Sequence, residues 1–208
     1  MSRRSAHLVI FAKEPRLGRV KRRLAVDVGL VRAWGFYRRT LRRVIARLGK
    51  DRRWRCWLAV TPDRAVYASG IWFPGGRIFG PKPRGLVIGQ GPGDLGRRMG
   101  AVFKSLPPGP AVIVGTDIPG ITAAHIAAAF RALGNHDAVF GPAADGGYWL
   151  VGLKRSPRVA EIFAGVRWST EHALADTLAN LPQDFRVAML DTLEDVDDGG
   201  ALARAVMP

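Results

Sequence analysis

The chain has 208 residues, 48% of them hydrophobic and 24% charged, which is long and apolar enough to bury a full core and predicts one domain spanning 1–208. No apolar run reaches the roughly 18 residues of a membrane span, and the basic N-terminus leads straight into a short strand pattern, as expected of a cytoplasmic protein. The formal charge of +15, from 32 Lys plus Arg against 17 Asp plus Glu, brings nucleic acid or an anionic membrane into consideration as partners, against a reading as solvated helix surface.

His7 to Ala12 reads as a first buried strand, followed by a basic loop from Lys13 to Leu24. Val31, Trp34, Tyr37, Leu41, Val44, Ile45 and Leu48 then recur at helical spacing, which sets Arg38, Arg39, Arg42, Arg43 and Arg47 on the opposite, solvated face. Trp54 to Thr61 predicts a second strand ending at Pro62. The single cysteine, Cys56, lies among its apolar residues and reads as core packing. A turn-rich stretch around Phe73-Pro74-Gly75-Gly76 precedes a short strand near Leu86 to Ile88.

Asp94 is placed to cap a helix bearing Leu95, Met99, Val102, Phe103 and Leu106, which Pro107-Pro108-Gly109-Pro110 ends. Ala111 to Val114 follows as a strand, Thr122 caps a helix through Leu133, and Asp137 to Phe140 forms the next strand. Strand, crossover helix, strand predicts a largely parallel sheet. Tyr148 to Leu153 follows its predecessor after only a glycine-bearing loop, so an antiparallel or edge position is expected. A helix from Thr170 through Ala179, a strand from Phe185 to Leu190 and a short helix from Ala201 to Val206 complete the chain.

Chemistry concentrates where apolar strands end in polar residues. Val112-Ile113-Val114-Gly115-Thr116-Asp117 delivers Asp117 to the C-terminal edge of the sheet, where an open α/β fold has its ligand crevice. A carboxylate there can hold a divalent cation against phosphates, and Thr116 can orient it or touch a ligand. After the first strand, Arg16, Arg19, Lys21, Arg22 and Arg23 suit phosphate oxygens, with Gly18 permitting a tight turn. Ordinary basic surface is the competing reading, because the spacing is not that of the nucleotide-triphosphatase phosphate loop.

Asp145, between a strand and Gly146-Gly147, can accept a hydroxyl proton or assist a metal, with Tyr148 or Trp149 as an apolar wall. The competing reading is a glycine hairpin with core aromatics. Trp168-Ser169-Thr170 reads as a lid or a helix cap. Asp191, Glu194, Asp195, Asp197 and Asp198 form an acidic turn, which is either a solvated charge run or the source of one residue that completes a cation site with Asp117. His7, His125, His136 and His172 lack metal-ligand spacing.

Phe11 to Leu24, Gly93-Asp94-Leu95-Gly96-Arg97-Arg98-Met99, Gly115 to Gly120, Gly141 to Tyr148 and Trp168-Ser169-Thr170 together resemble a bacterial glycosyltransferase-like family of the nucleotide-diphospho-sugar transferase superfamily. The resemblance implies a type A glycosyltransferase fold, a three-layer α/β/α sandwich around a mixed, mainly parallel sheet. Its first loop is similar to that of sugar nucleotidyltransferases and of 2-phospholactate guanylyltransferase.

By that resemblance Arg16, Arg19, Lys21 and Arg23, with Gly18, engage nucleotide phosphates, and Asp94, Arg97 and Thr116 line the nucleotide pocket. Asp117 is the principal ligand of Mg2+ or Mn2+, and Asp195 or Asp197 the second. The implied catalytic set is Lys21, Asp117 and Asp145, acting on a nucleoside triphosphate or nucleotide sugar and a small acceptor. Arg22 departs from the family's Lys-Thr-Arg-Leu pattern, and Asp195-Val196-Asp197-Asp198-Gly199-Gly200 departs from its Asp-Thr-Pro-Glu-Asp-Leu ending. A basic nucleic-acid-binding protein and a non-catalytic nucleotide sensor are the alternative expectations.

Overall fold

The computed structural model describes residues 5–68, 72, 86–155 and 159–206. Its strands are β1 (His7–Lys13), β2 (Arg55–Thr61), β3 (Leu86–Gly89), β4 (Ala111–Val114), β5 (Ala138–Pro142), β6 (Tyr148–Leu153) and β7 (Val187–Met189). Its helices are α1 (Arg22–Val28), α2 (Leu30–Gly49), α3 (Leu95–Ser105), α4 (Ala123–Asn135), α5 (Ala173–Ala179) and α6 (Gly199–Val206). The strands make one seven-stranded sheet in the order β3-β2-β1-β4-β6-β5-β7. All pairings are parallel except those of β6, which runs against both β4 and β5.

Strand alternation explains the layers. On β1, Leu8, Ile10 and Ala12 face a core shared with Tyr37, Leu41, Val44 and Leu48 of α2 and Ile126, Ala129 and Leu133 of α4. Val9 and Phe11 face the other way, against Met99, Val102 and Phe103 of α3, with Leu174 and Leu178 of α5 at the margin. Helices thus cover both faces, and buried strands read as continuous apolar runs because neither face meets water.

Several expectations shift. The basic loop is shorter than the sequence suggests, because α1 starts at Arg22 and buries Leu24 against Phe36, Val196 and Ala201. The buried stripe of α2 includes Ala33 and Phe36, which face that satellite core, and leaves Val31 exposed. β6 is antiparallel, one of the two expected outcomes, and central: the tight return through Gly146 pairs it with β5, and its other side hydrogen-bonds β4.

The Asp94 and Thr122 caps form, whereas neither Ser169 nor Thr170 is the cap of α5, a place taken by His172. The Asp94 side chain accepts from Arg97 N, and Thr122 and His125 cap each other's backbone at the start of α4. The helix expected from Thr170 begins at Ala173, and the last helix begins earlier than expected, at Gly199. The expected turn at Phe73–Gly76 lies outside the described residues. Among the described residues, no helix is long and apolar enough to cross a membrane.

Candidate active site

A cavity of about 550 Å³ opens at the C-terminal edge of the parallel strands, where β1, β4 and the turn after β7 deliver polar residues. Lys21 lines it. As the N-cap of α1 it adopts a left-handed conformation, φ 47° and ψ 51°, a cost of about 1–3 kcal/mol for a side-chain-bearing residue that the surrounding contacts must offset. Its side chain is only 4% exposed, and its Nζ donates to Asp117 Oδ1 at 2.9 Å and to Asp197 Oδ1 at 2.6 Å. The tip of β4 and the late acidic turn, distant in sequence, thereby meet on one ammonium.

The acidic turn is held by its middle residue. Val196 is buried with Leu24, Ala33, Phe36 and Ala201, and its backbone N–H donates to Asp117 O at 3.2 Å. Asp195 and Asp197, on either side of that anchor, both line the cavity. Asp198 instead caps α6 by accepting from Ala201 N at 2.7 Å, Glu194 pairs with Arg204, and Asp191 contributes its carbonyl to Trp149 Nε1 at 3.1 Å.

Opposite charges crowd together at this end of the cavity. Burial alone would depress the Lys21 ammonium, yet the Asp117 and Asp197 carboxylates hold its pKa above the ordinary value. Burial opposes the Asp197 charge, yet its pKa is lowered, because Lys21, then a hydrogen bond with Asp195 and then Arg23 together outweigh that cost. Asp195 is pushed up to about 6 by burial and then by the neighbouring Asp197 and Asp145 charges, which Lys21 only partly offsets.

Tyr37 ties the first loop to the Asp117 turn. Its hydroxyl accepts from Lys13 N at 2.8 Å, donates to Lys13 O at 3.0 Å and lies 3.5 Å from Thr116 Oγ1. Burial and then the Asp117 charge push its phenol far above the ordinary value, so it stays protonated and keeps donating. Asp145 Oδ1 accepts from Gly147 N at 2.9 Å, which leaves its second oxygen free of that turn. Tyr148 and Trp168 supply an aromatic wall, with ring centroids 6.3 Å apart.

The expected residues divide. Lys21, Arg23, Thr116, Asp117, Asp145, Asp195 and Asp197 all line the cavity, with Lys13 and Arg22 beside them. Arg16, Gly18 and Arg19 do not: Arg16 pairs with Glu14 at 2.7 Å, Gly18 (φ 73°) turns the loop, and Arg19 points to solvent. Asp94 and Arg97 are also outside, because Asp94 serves as the α3 cap and Arg97 is exposed.

The next residue, Arg98, lines the cavity with Gln90, a pair the sequence reading passed over. Helical spacing was the available signal for Arg98, since three residues after Leu95 and one before Met99 it falls on the inner face of α3. Gln90 had only its position after a strand.

Cys56 is buried, and that burial pushes its thiol up to about 12, consistent with packing. Among the described residues no three or more His, Cys, Asp or Glu side chains are arranged to hold a metal ion by themselves.

The mixed, mostly parallel sheet between two helical layers, with a polar crevice at its C-terminal edge, has the nucleotide-diphospho-sugar transferase fold of a solved relative. A candidate nucleotide-diphospho-sugar transferase from Desulfovibrio desulfuricans is 27% identical, with 93% of this chain and 82% of that one covered at a TM-score of 0.79. The chain belongs to the family described as uncharacterized protein conserved in bacteria, DUF2064, whose model matches residues 44–170.

The fold is shared by 4-diphosphocytidyl-2C-methyl-D-erythritol synthase from Anaerococcus prevotii, at 10% identity, TM-score 0.60 and coverage of 97% and 96%. It is shared too by glucosyl-3-phosphoglycerate synthase from Mycobacterium tuberculosis, solved with Mn2+, uridine diphosphate and glucosyl-3-phosphoglycerate, at 13% identity, TM-score 0.52 and coverage of 92% and 71%. No curated protein matches the sequence.

Proposed function

We propose that the protein is a divalent-metal-dependent transferase that moves a glycosyl or nucleotidyl group from a nucleotide-activated donor to a small acceptor. The observation that carries this reading is Lys21 Nζ lying within 2.9 Å of Asp117 and 2.6 Å of Asp197, inside a cavity that also holds Asp145 and Asp195. Asp117 and Asp197 share that one ammonium, with Asp145 and Asp195 lining the same cavity, and their hard oxygen donors suit Mg2+ or Mn2+. Two protein carboxylates suffice for such an ion when donor phosphates and water complete its shell.

Asp117 and Asp197, with Asp195 beside them, would hold the ion. Bound there, it would supply neutralisation of charge developing on phosphate oxygens. Lys21, Lys13, Arg22 and Arg23 would bind and orient the donor phosphates, with the arginines as planar forks and the lysines as point charges. Asp145 would take the proton of an acceptor hydroxyl through the oxygen not engaged by Gly147. Tyr148 and Trp168 would keep water from the reacting atoms.

In nucleotidyl transfer, an acceptor phosphate oxygen attacks the donor's α-phosphorus and pyrophosphate leaves. In glycosyl transfer, an acceptor hydroxyl attacks the sugar carbon and nucleoside diphosphate leaves with the electron pair of the broken bond. The basic residues favour the first, since they suit a triphosphate, while the manganese- and uridine-diphosphate-bound glucosyl-3-phosphoglycerate synthase supports the second. The guanylyl-transfer form rests on the sequence resemblance of the first loop.

The test is a panel of nucleoside triphosphates and nucleotide sugars, followed by calorimetry and by phosphorus NMR of products, with Mg2+ or Mn2+ and with chelator. Binding of one donor class and metal-dependent product are expected. Binding without turnover across a broad acceptor panel would instead favour a nucleotide sensor. Tight, steeply salt-dependent binding of DNA or RNA that survives Asp117→Ala, with no donor bound, would favour the nucleic-acid reading.

A further inference from the structure

At the other end of the cavity Gln90 is 3% exposed, immediately after β3. Its amide nitrogen donates to Ala59 O at 2.9 Å and to Ala12 O at 3.2 Å, carbonyls near the C-terminal ends of β2 and β1. Carbonyls only accept, so the orientation of the Gln90 amide is dictated by its surroundings. Its Oε1 is therefore turned toward Arg98, whose Nη1 donates to it at 2.9 Å. Arg98 Nε donates to Asp94 O at 3.2 Å, which holds the guanidinium from a second side.

Both of these partners are neutral. Among the described residues Arg98 has no carboxylate partner, and its Nη2 makes no hydrogen bond. The group is half-buried and lines the cavity beside Phe11, Leu95, Met99 and Ile113, apolar surfaces suited to the face of a heteroaromatic ring. In the strand order, Gln90 and Arg98 sit on the β3-β2-β1 side, while Asp117 and the acidic turn follow β4 and β7 on the other. Lys21, Arg22 and Arg23 come after β1, between the two. A donor with its phosphates at this centre and its reacting group toward the carboxylates has its base toward Arg98.

Resting on the nucleotide-donor reading above, we propose that Arg98, oriented by Gln90, reads the donor base and selects one with a ring carbonyl (guanine, cytosine or uracil) over adenine. A guanidinium offers donors alone. Guanine O6 and N7 accept from it bidentately, and the pyrimidines offer carbonyl oxygens, whereas adenine sets its N6 amine, itself a donor, beside N7. In a half-buried site the mismatched donors lose water without gaining a partner, which turns the mismatch into selectivity.

The experiment is calorimetric titration of the full chain with GTP, CTP, UTP and ATP, each with magnesium. At least one carbonyl-bearing nucleotide is expected to bind on the order of tenfold to a hundredfold more tightly than ATP. Arg98→Met should bring that nucleotide down to the ATP level while ATP itself changes little, and Arg98→Lys, which keeps the charge without the fork, should recover only a small part. Thermal melts establish that each variant is folded, and if the methionine variant is not, the lysine variant and the unmodified protein decide.

ATP binding as tight as the best of the other three overturns the inference and leaves the transferase reading standing. A preference that survives in the folded variants does the same. Failure of all four nucleotides and of nucleotide sugars to bind overturns both.

Discussion

The two ends of the cavity are built on opposite principles. At the Gln90 end the buried amide is matched atom for atom, its N–H groups to two backbone carbonyls and its oxygen to the Arg98 guanidinium, so its geometry is over-determined without any carboxylate. At the Lys21 end the geometry converges on a single ammonium while carboxylates outnumber it, so that Asp195 is pushed up to about 6 by burial and by its acidic neighbours. A fully bonded amide is rigid and fixes the hydrogen-bond pattern of the group it holds, whereas carboxylates that share one ammonium are poised to gain from an incoming cation or to move a proton.

The largest effect should come from breaking the charged end. Asp117→Asn is expected to lower metal-dependent turnover on the order of a hundredfold or more, read by product formation at saturating donor. An activity within a fewfold of the parent protein would remove Asp117 from the chemistry.

Next comes Lys21→Met, which leaves Asp117 and Asp197 facing one another without their shared cation. Because both carboxylates remain partly open to solvent, at 53% and 40% exposure, screening limits the loss to about 1–3 kcal/mol of unfolding free energy in urea. Manganese should restore part of that loss in the variant and add less to the parent. An equal effect of manganese on both would mean that the ammonium and a divalent cation do not share this position.

Gly146→Ala probes the hairpin that carries Asp145. Gly146 has φ 83°, and an added Cβ would lie 2.2 Å from the backbone oxygen of Glu171, so neither backbone freedom nor space is available. About 1–3 kcal/mol of destabilisation is expected in thermal or urea unfolding. A variant as stable as the parent would show that the two backbone segments are not packed this closely.

The smallest effect is at Cys56, remote from both ends. With its thiol buried and pushed up to about 12, it should resist alkylation by iodoacetamide at pH 8 in the folded protein and react promptly in urea. Rapid modification of the native protein would place the β2 core in exchange with solvent.

Much of the fold was readable because period and punctuation agreed. Continuous apolar runs at His7–Ala12, Ala111–Val114 and Asp137–Phe140 marked strands buried on both faces, and Asp94 and Thr122 announced the helices they cap. The central position of β6 was less accessible, since a hairpin dictates one neighbour and leaves the second to packing. The burial of Ala33 and Phe36 in place of Val31 likewise depended on which neighbours α2 meets, here α1, α6 and the acidic turn.

The candidate site divided along the same line. Arg16, Arg19 and Lys21 look interchangeable as cationic residues of one loop, yet a single left-handed residue starting α1 turns Lys21 inward and leaves Arg19 to solvent. Asp94 and Arg97 looked like pocket residues because their motif is adjacent to the pocket, but capping consumed the first and helix phase turned the second outward in favour of Arg98.

By itself, then, the sequence determined the parallel α/β class and the strand ends at which charged groups accumulate, because apolar periodicity and capping are local and act within a few residues. Only the tertiary structure decided that Lys21, Asp117 and Asp197 share one position and that Gln90 aims Arg98, because each depends on segments far apart in the chain. Pairing across that separation follows from strand order and helix phase, which local sequence pattern constrains but does not specify.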